Sequence, residues 1–210
     1  MKRKMDREHS FWNSFSGKYD LFIGAVLAGT YKALFKKLKQ NVAASDHILE
    51  IATGTGLLSF GICRNVQHIT AIDYAPEMLR TARKKQLKLN AENIDFLPGD
   101  ATHLNYEAEA FDKVIASNIL HLLPEPETAM SEICRVLKHD GKALLATFCH
   151  GENSTTRFFS RFFSIFGFTA HHKWSVKGFE EFVGNNGFTV VQRETLGGII
   201  PMVYILAQKA

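Results

Sequence analysis

The stretch Ile48-Leu-Glu-Ile-Ala-Thr-Gly-Thr-Gly56 leads directly into Leu57-Leu-Ser-Phe-Gly-Ile62, so an apolar strand carrying one acid enters a glycine loop and then a helical run. Glycines at 54 and 56 lack the Cβ atoms that keep a ligand off the backbone, and a helix starting near Leu57 points its free N–H groups at whatever lies in the loop. The stretch outlines a nucleotide-cofactor site without naming the cofactor.

Two later acids narrow the choice. Ile69-Thr-Ala-Ile-Asp73 places a carboxylate at the end of the next strand, and Ile94-Asp-Phe-Leu-Pro-Gly-Asp100-Ala101 places another. Strand ends of an open parallel sheet converge on one crevice. There Asp73 can accept hydrogen bonds from both ribose hydroxyls of an adenosine. Asp100 can accept from the adenine amine while the Ala101 N–H approaches the ring.

Five segments in order carry a family resemblance: Glu50 to Gly56, Asp73 with Tyr74 to Leu79, Gly99-Asp100-Ala101, Phe111 to Pro124 with Asn118 and His121, and Arg135 to Leu145. Over roughly residues 45 to 150 the chain resembles the class I S-adenosylmethionine-dependent methyltransferases. Its alanine loop, Ala52-Thr53-Gly54-Thr55-Gly56, and the upstream Lys18-Tyr19-Asp20 resemble the ubiquinone and menaquinone biosynthesis C-methyltransferases in particular. The resemblance implies a Rossmann-like α/β three-layer sandwich around a seven-stranded, mostly parallel sheet of order 3-2-1-4-5-7-6 with an antiparallel last strand. It also implies contacts to S-adenosylmethionine from Tyr19, Glu50, Ala52, Thr53, Gly54, Gly56, Asp73, Tyr74, Met78, Asp100, Ala101 and Asn118. A dinucleotide site fits less well. Its fingerprint needs a third glycine where this chain has Ser59, and a pyrophosphate to use the helix dipole.

The 210 residues are 46% hydrophobic and 22% charged, with five prolines and no repeat or low-complexity tract, which suits one compact domain. Within it a helical cap covers 1–44, the cofactor-binding core 45–148, a substrate-side insertion and helix 149–186, and a C-terminal hairpin 187–210. Cys63, Cys134 and Cys149 have neither metal-ligand spacing nor the density of a disulfide framework, so reduced thiols in a cytoplasmic enzyme are expected, without a metal. The net charge of +4 owes much to Arg80, Arg83, Lys84, Lys85 and Lys88. They fall on a helix whose apolar positions are Met78, Leu79, Ala82 and Leu87, and read as its solvated face rather than a nucleic-acid surface. The run Leu21 to Ala28 imitates a signal peptide. It is shorter than the ~20 residues a membrane span takes, and Asp6, Glu8 and Asp20, which precede it, interrupt the would-be signal.

Strands are expected near 48–52, 68–73, 93–97, 111–117 and 142–148, alternating with helices. Pro76 and Pro124 are placed at helix starts, and Asn90 and Gly141 just past helix ends. Phe188 to Leu196 and Ile199 to Ala207 read as two antiparallel strands joined by a tight turn at Gly197-Gly198, with Pro201 forcing the last strand to start after it.

The acceptor side is sought between the fifth and sixth strands. Residues 157–168 fold, if helical, with Phe158, Phe159, Phe162, Phe163, Ile165 and Phe166 on one face. This stripe suits plain core packing, an aromatic-lined pocket for a small apolar or aromatic acceptor, or, with its flanking arginines and Trp174, a transient membrane-surface contact. His121, just past the fourth strand, is the candidate general base; His150, His171 and His172 are weaker ones. A non-catalytic S-adenosylmethionine-binding protein is the reading from a different class.

Overall fold

The computed structural model describes residues 20–21, 23–149, 170–197 and 201–210. Tyr19, His150 and the aromatic stretch 157–168 therefore lie outside the described residues. After a helical turn at residues 23–26, the elements run α1 (Ala28–Gln40), β1 (His47–Ile51), α2 (Leu57–Ile62), β2 (His68–Asp73), α3 (Pro76–Leu89), β3 (Ile94–Pro98), β4 (Phe111–Ser117), α4 (Pro126–Val136), β5 (Leu137–Phe148), α5 (Val176–Asn185), β6 (Phe188–Leu196) and β7 (Met202–Lys209).

The seven strands form one sheet of order β3-β2-β1-β4-β5-β7-β6. β1 pairs in parallel with β2 and β4, β2 with β3, and β4 with β5. β7 runs antiparallel to both of its neighbours. Side-chain alternation divides the strands between two cores. Ile48, Ile69, Ile115, Leu144 and Tyr204 face one layer with Leu34, Leu38, Ile62 and Leu79. Leu49, Ile72, Val114, Leu145 and Ile205 face the other with Met130, Ile133, Phe179 and Val183. Every central strand is thus apolar on both faces, which explains why β1 is buried from Ile48 onward.

Turn chemistry accounts for several boundaries. Pro76 is the first residue of α3, and Asn90 ends that helix in the left-handed region, φ 49°. α4 differs from expectation: its initial proline is Pro126, two residues beyond Pro124. Gly141 also departs from its predicted place past a helix end, since it lies inside β5, where the register against β4 shifts between Phe111 and Lys113. A Cβ there would stand 2.9 Å from the Asp112 carbonyl, so the glycine lets the irregular strands close on each other.

The C-terminal strands pair as expected, but by a longer connection than a two-residue turn. Leu196 pairs with Met202, leaving residues 197–201 between them. β7 begins immediately after Pro201, which lacks the N–H a ladder position needs. On α3, Met78, Leu79 and Ala82 are buried, whereas Leu87, expected on the same face, is 80% exposed. α1 lies across the sheet through Tyr31, Leu34 and Leu38, with Lys37 paired to Glu194 of β6.

Candidate functional site

The strand order reverses direction between β1 and β4, so the loops leaving their carboxyl ends part to open a crevice. The β1 loop has three left-handed residues in five: Ala52 (φ 55°), Gly54 (φ 58°) and Gly56 (φ 77°). Asn118, leaving β4 on the other side, is left-handed as well, φ 58°. Non-glycine residues reach this region at a cost of roughly 1–2 kcal/mol, and such residues gather at functional sites.

The two glycines serve different ends. A Cβ on Gly54 would make only an ordinary contact, with Met78 Sδ 4.0 Å away. A Cβ on Gly56 would stand 2.7 Å from Phe96 Cζ and 2.8 Å from Phe60 Cε2. Gly54 thus lies beside Met78, on the first turn of α3. Gly56 lets the loop pass the Phe60–Phe96 ring pair. α2 is a short helix of six residues.

Asp73 ends β2 beside this loop. Its Oδ2 accepts from the Gly54 N–H at 2.7 Å and its Oδ1 from the Ala75 N–H at 2.8 Å. The Thr53 N–H bonds the Ile72 carbonyl at 2.9 Å, and the Gly99 N–H bonds the Asp73 carbonyl at 3.2 Å. One acid therefore fixes the loop, the entry to α3 and the strand end that leads to Asp100. The exposed Asp100 accepts through Oδ1 from the Thr102 N–H and hydroxyl, both at 2.8 Å, which holds the turn carrying the buried Ala101. Tyr74, next to Asp73, is 56% exposed.

Glu50 and Thr53 are buried beneath the loop. The Ser59 hydroxyl on α2 donates to Glu50 Oε2. Burial pushes the Glu50 carboxyl up to about 7, against the Ser59 hydrogen bond that favours its charged form. Ser59 entered the sequence reading only as a missing glycine. Its spacing of nine residues from Glu50 is the signal that would have found it. Across the crevice the Asn118 side-chain N–H lies 3.4 Å from the Tyr31 hydroxyl and 3.3 Å from Ser117 Oγ. Asn118 Oδ1 is buried without a hydrogen-bond partner among the described residues. Tyr31 joins the site from α1, 87 residues from Asn118, where no local pattern announces it.

His121 lies on a single helical turn, Leu120–Leu122, and is buried. Its Nδ1 is 2.9 Å from the Thr147 hydroxyl on β5, and its carbonyl accepts from the His171 and His172 N–H groups at 2.9 and 3.2 Å. His172 stacks on Trp174, ring centroids 5.2 Å apart. Trp174 also packs on Phe179 and Phe182 of α5. Trp174 is thus half-buried among the protein's own aromatic side chains.

Brace contacts complete the site. Arg135 on α4 donates to the Leu104 and Tyr106 carbonyls and to Glu132, and Glu132 accepts from the Leu104 N–H, so this pair clamps the loop beyond Asp100. The Arg135 guanidinium lowers the Glu132 carboxyl to about 2. Of the basic residues on α3, Arg83 donates to the Phe96 carbonyl and Lys85 to Asp20, so these two are not simply solvated.

A doubly wound sheet with a glycine loop and an acid at its switch point defines an α/β protein that holds a nucleoside cofactor. Residues 49–145 match the family model described as "Methyltransferase domain". A demethylmenaquinone methyltransferase of Lactobacillus johnsonii is 34% identical over 142 residues, 64% of this chain and 57% of that one. The chain thus spans little more than half the length of that relative. Among solved structures, a chain of the complex between the Haloferax volcanii Trm112 methyltransferase activator and a methyltransferase shares the fold with a TM-score of 0.81, at 16% identity over 94% of this chain and 97% of that one. An S-adenosylmethionine-dependent methyltransferase of Thermotoga maritima does so with a TM-score of 0.75, at 20% identity over 96% and 99%. S-adenosylmethionine is the cofactor of this class. The site fits it on chemical grounds: the uncrowded Gly54, the fixed Asp73 carboxylate and the unpartnered Asn118 oxygen offer acceptors and room to a ligand rich in hydroxyl and ammonium donors.

Proposed function

We propose that the chain transfers a methyl group from S-adenosylmethionine to a small apolar or aromatic acceptor. The observation that carries this reading is the Asp73 carboxylate, held by the Gly54 and Ala75 N–H groups beside Gly54, where an added Cβ would touch only Met78 Sδ. In this reading Asp73 accepts from the ribose hydroxyls, and Asp100 with Ala101 and the exposed Tyr74 frame the adenine. Glu50, Ala52, Thr53, Gly54, Gly56, Met78 and Asn118 shape the remainder, and Tyr19 joins them from the N-terminal segment.

When bound, the cofactor supplies a methyl group on a positively charged sulfur, so the protein's task is to position, desolvate and deprotonate the acceptor. His121 is the proposed base, with Thr147 fixing its ring at 2.9 Å. A quinone precursor is the proposed acceptor, supported by the likeness to a demethylmenaquinone methyltransferase. Transfer to O, N or S of another metabolite, or to a phospholipid headgroup, is the alternative that an acceptor screen separates. We place the activity in one domain over residues 1–210, bounded as the sequence suggests, and in the cytoplasm. Cys63, Cys134 and Cys149 form no disulfide, and no helix among the described residues is long and apolar enough to cross a membrane.

Calorimetric titration with S-adenosylmethionine, S-adenosylhomocysteine and NAD, on the wild type and Asp73→Ala, tests the reading. Binding of the first two, weakened at least roughly tenfold in the variant, is the expected result. NAD binding instead would overturn it. Binding without turnover of any acceptor across quinones, phenols and amines would favour a non-catalytic role.

A further inference from the structure

The Asn118 amide, just past the end of β4, has its two polar ends in different surroundings. Its Nδ2 faces two hydroxyls, that of Tyr31 on α1 at 3.4 Å and that of Ser117 at 3.3 Å. Its Oδ1 is buried without a hydrogen-bond partner among the described residues. A side-chain amide has two N–H donors and one oxygen acceptor, so this arrangement occupies both donors and leaves the acceptor over. A buried acceptor is costly to leave unpaired, and a donor on a ligand would satisfy it.

Neither partner is free to turn away. The Asn118 N–H bonds the Ala146 carbonyl of β5 at 2.8 Å, and the residue holds φ 58°, a region that asparagine and aspartate enter more readily than other non-glycine residues. Tyr31 is 5% exposed, its ring centroid 6.4 Å from that of Phe35. Its helix is tied down by the Thr30 hydroxyl, which donates to the Gly197 carbonyl at 3.3 Å, and by the Lys37–Glu194 pair.

Sheet order says which part of the cofactor meets this oxygen. Asp73 and Asp100 lie at the ends of β2 and β3, so the adenosine belongs on that side. β1 stands between β2 and β4, and with strands about 4.8 Å apart Asn118 lies roughly 10 Å across from Asp73. The amino-acid portion of S-adenosylmethionine falls there, and the donor it carries is an ammonium. We infer that Tyr31 is a positioning residue for cofactor recognition: with Ser117 it holds the Asn118 amide so that Oδ1 faces that ammonium. An inverted amide would present N–H groups, which repel an ammonium and suit a carboxylate. This inference rests on the methyltransferase reading.

The test is calorimetry on the full chain with two ligands, accompanied by ligand-free melting temperatures. S-adenosylhomocysteine keeps the ammonium; methylthioadenosine keeps the adenosine and sulfur but has no amino-acid portion. Tyr31→Phe removes one oxygen and keeps the ring, and should weaken S-adenosylhomocysteine about fivefold while leaving methylthioadenosine within about twofold. Ser117→Ala should act in the same direction, about threefold, and carries the test if Tyr31→Phe does not fold. Asn118→Asp has an acceptor oxygen at both positions, so adding Tyr31→Phe to it should weaken S-adenosylhomocysteine less than about twofold. Unchanged S-adenosylhomocysteine affinity in folded Tyr31→Phe would overturn the inference alone. So would equal weakening of both ligands with a fall in melting temperature, the mark of a merely structural tyrosine. Loss of S-adenosylhomocysteine binding in Asn118→Asp would overturn it as well, since the amide would then be donating to the carboxylate. A wild type that does not bind S-adenosylhomocysteine would overturn the methyltransferase reading together with it.

Discussion

The two loops that flank the crevice are braced by different physics. The β1 loop is held from inside, by backbone N–H groups on Asp73, by Glu50 and Ser59 beneath it, and by aromatic rings against Gly56. The loop beyond Asp100 is held from outside, by the Glu132–Arg135 pair gripping the Leu104 and Tyr106 backbone. Their acids respond oppositely. Burial raises Glu50 to about 7, and an adjacent guanidinium lowers Glu132 to about 2. A site of this kind needs one loop rigid enough to define ligand geometry, and the buried brace belongs to the loop with the most strained backbone.

Crowded and uncrowded backbone can be told apart most forcefully at the two glycines. Gly56→Ala brings a Cβ to 2.7 Å from Phe96 at φ 77°, and should destabilise the fold by about 3 kcal/mol, lowering the melting temperature by roughly 10 °C. Gly54→Ala meets no such wall, so it should cost only about 1 kcal/mol while lowering cofactor affinity more than its neighbour does per unit of stability lost. Equal melting losses at the two positions, measured by calorimetry, would erase the distinction.

Opposite pKa shifts give the two braces opposite pH signatures. Glu50 binds its proton more tightly when folded, so its contribution is fully present below pH 4.5 and is lost as pH rises through 7, on the order of 3 kcal/mol. Glu50→Gln should therefore flatten the stability profile across that window in pH-dependent denaturant unfolding. Glu132 behaves in reverse. Its contribution is present above pH 4.5 and lost as pH falls toward 2, and Glu132→Gln should weaken only that acid limb. The smallest effect belongs to Ala52→Gly. Relief of a left-handed alanine at φ 55° should stabilise the protein by less than about 1 kcal/mol, offset by the added freedom of the unfolded chain. A lowered melting temperature there would mean that the alanine methyl is itself packing.

The fold was largely legible because it rests on repeating local signals. The apolar runs at β1, β2 and β4 and the prolines and asparagine bounding α3 sit in the chain as they sit in the structure. Local reading failed where a single residue served a distant partner. Gly141 looked like a helix terminus because a glycine after a helical run usually is one, yet it makes room for the Asp112 carbonyl on a neighbouring strand. Leu87 looked buried because it shares helical spacing with Met78 and Leu79, yet near the end of α3 it is exposed. Lys85 looked solvated because nothing near it in sequence announces Asp20.

The sequence by itself determined the strand and helix alternation, the glycine loop and the acids at the strand ends. Each depends on periodicity, φ preference or charge within a few residues. Only the tertiary structure decided that Gly56 is packed while Gly54 is open, that Ser59 bonds Glu50, that Thr147 orients His121, and that Asp20 spans the glycine loop and α3. Those are contacts between residues up to 65 apart, and such a contact exists only once the sheet has brought its strand ends to one edge.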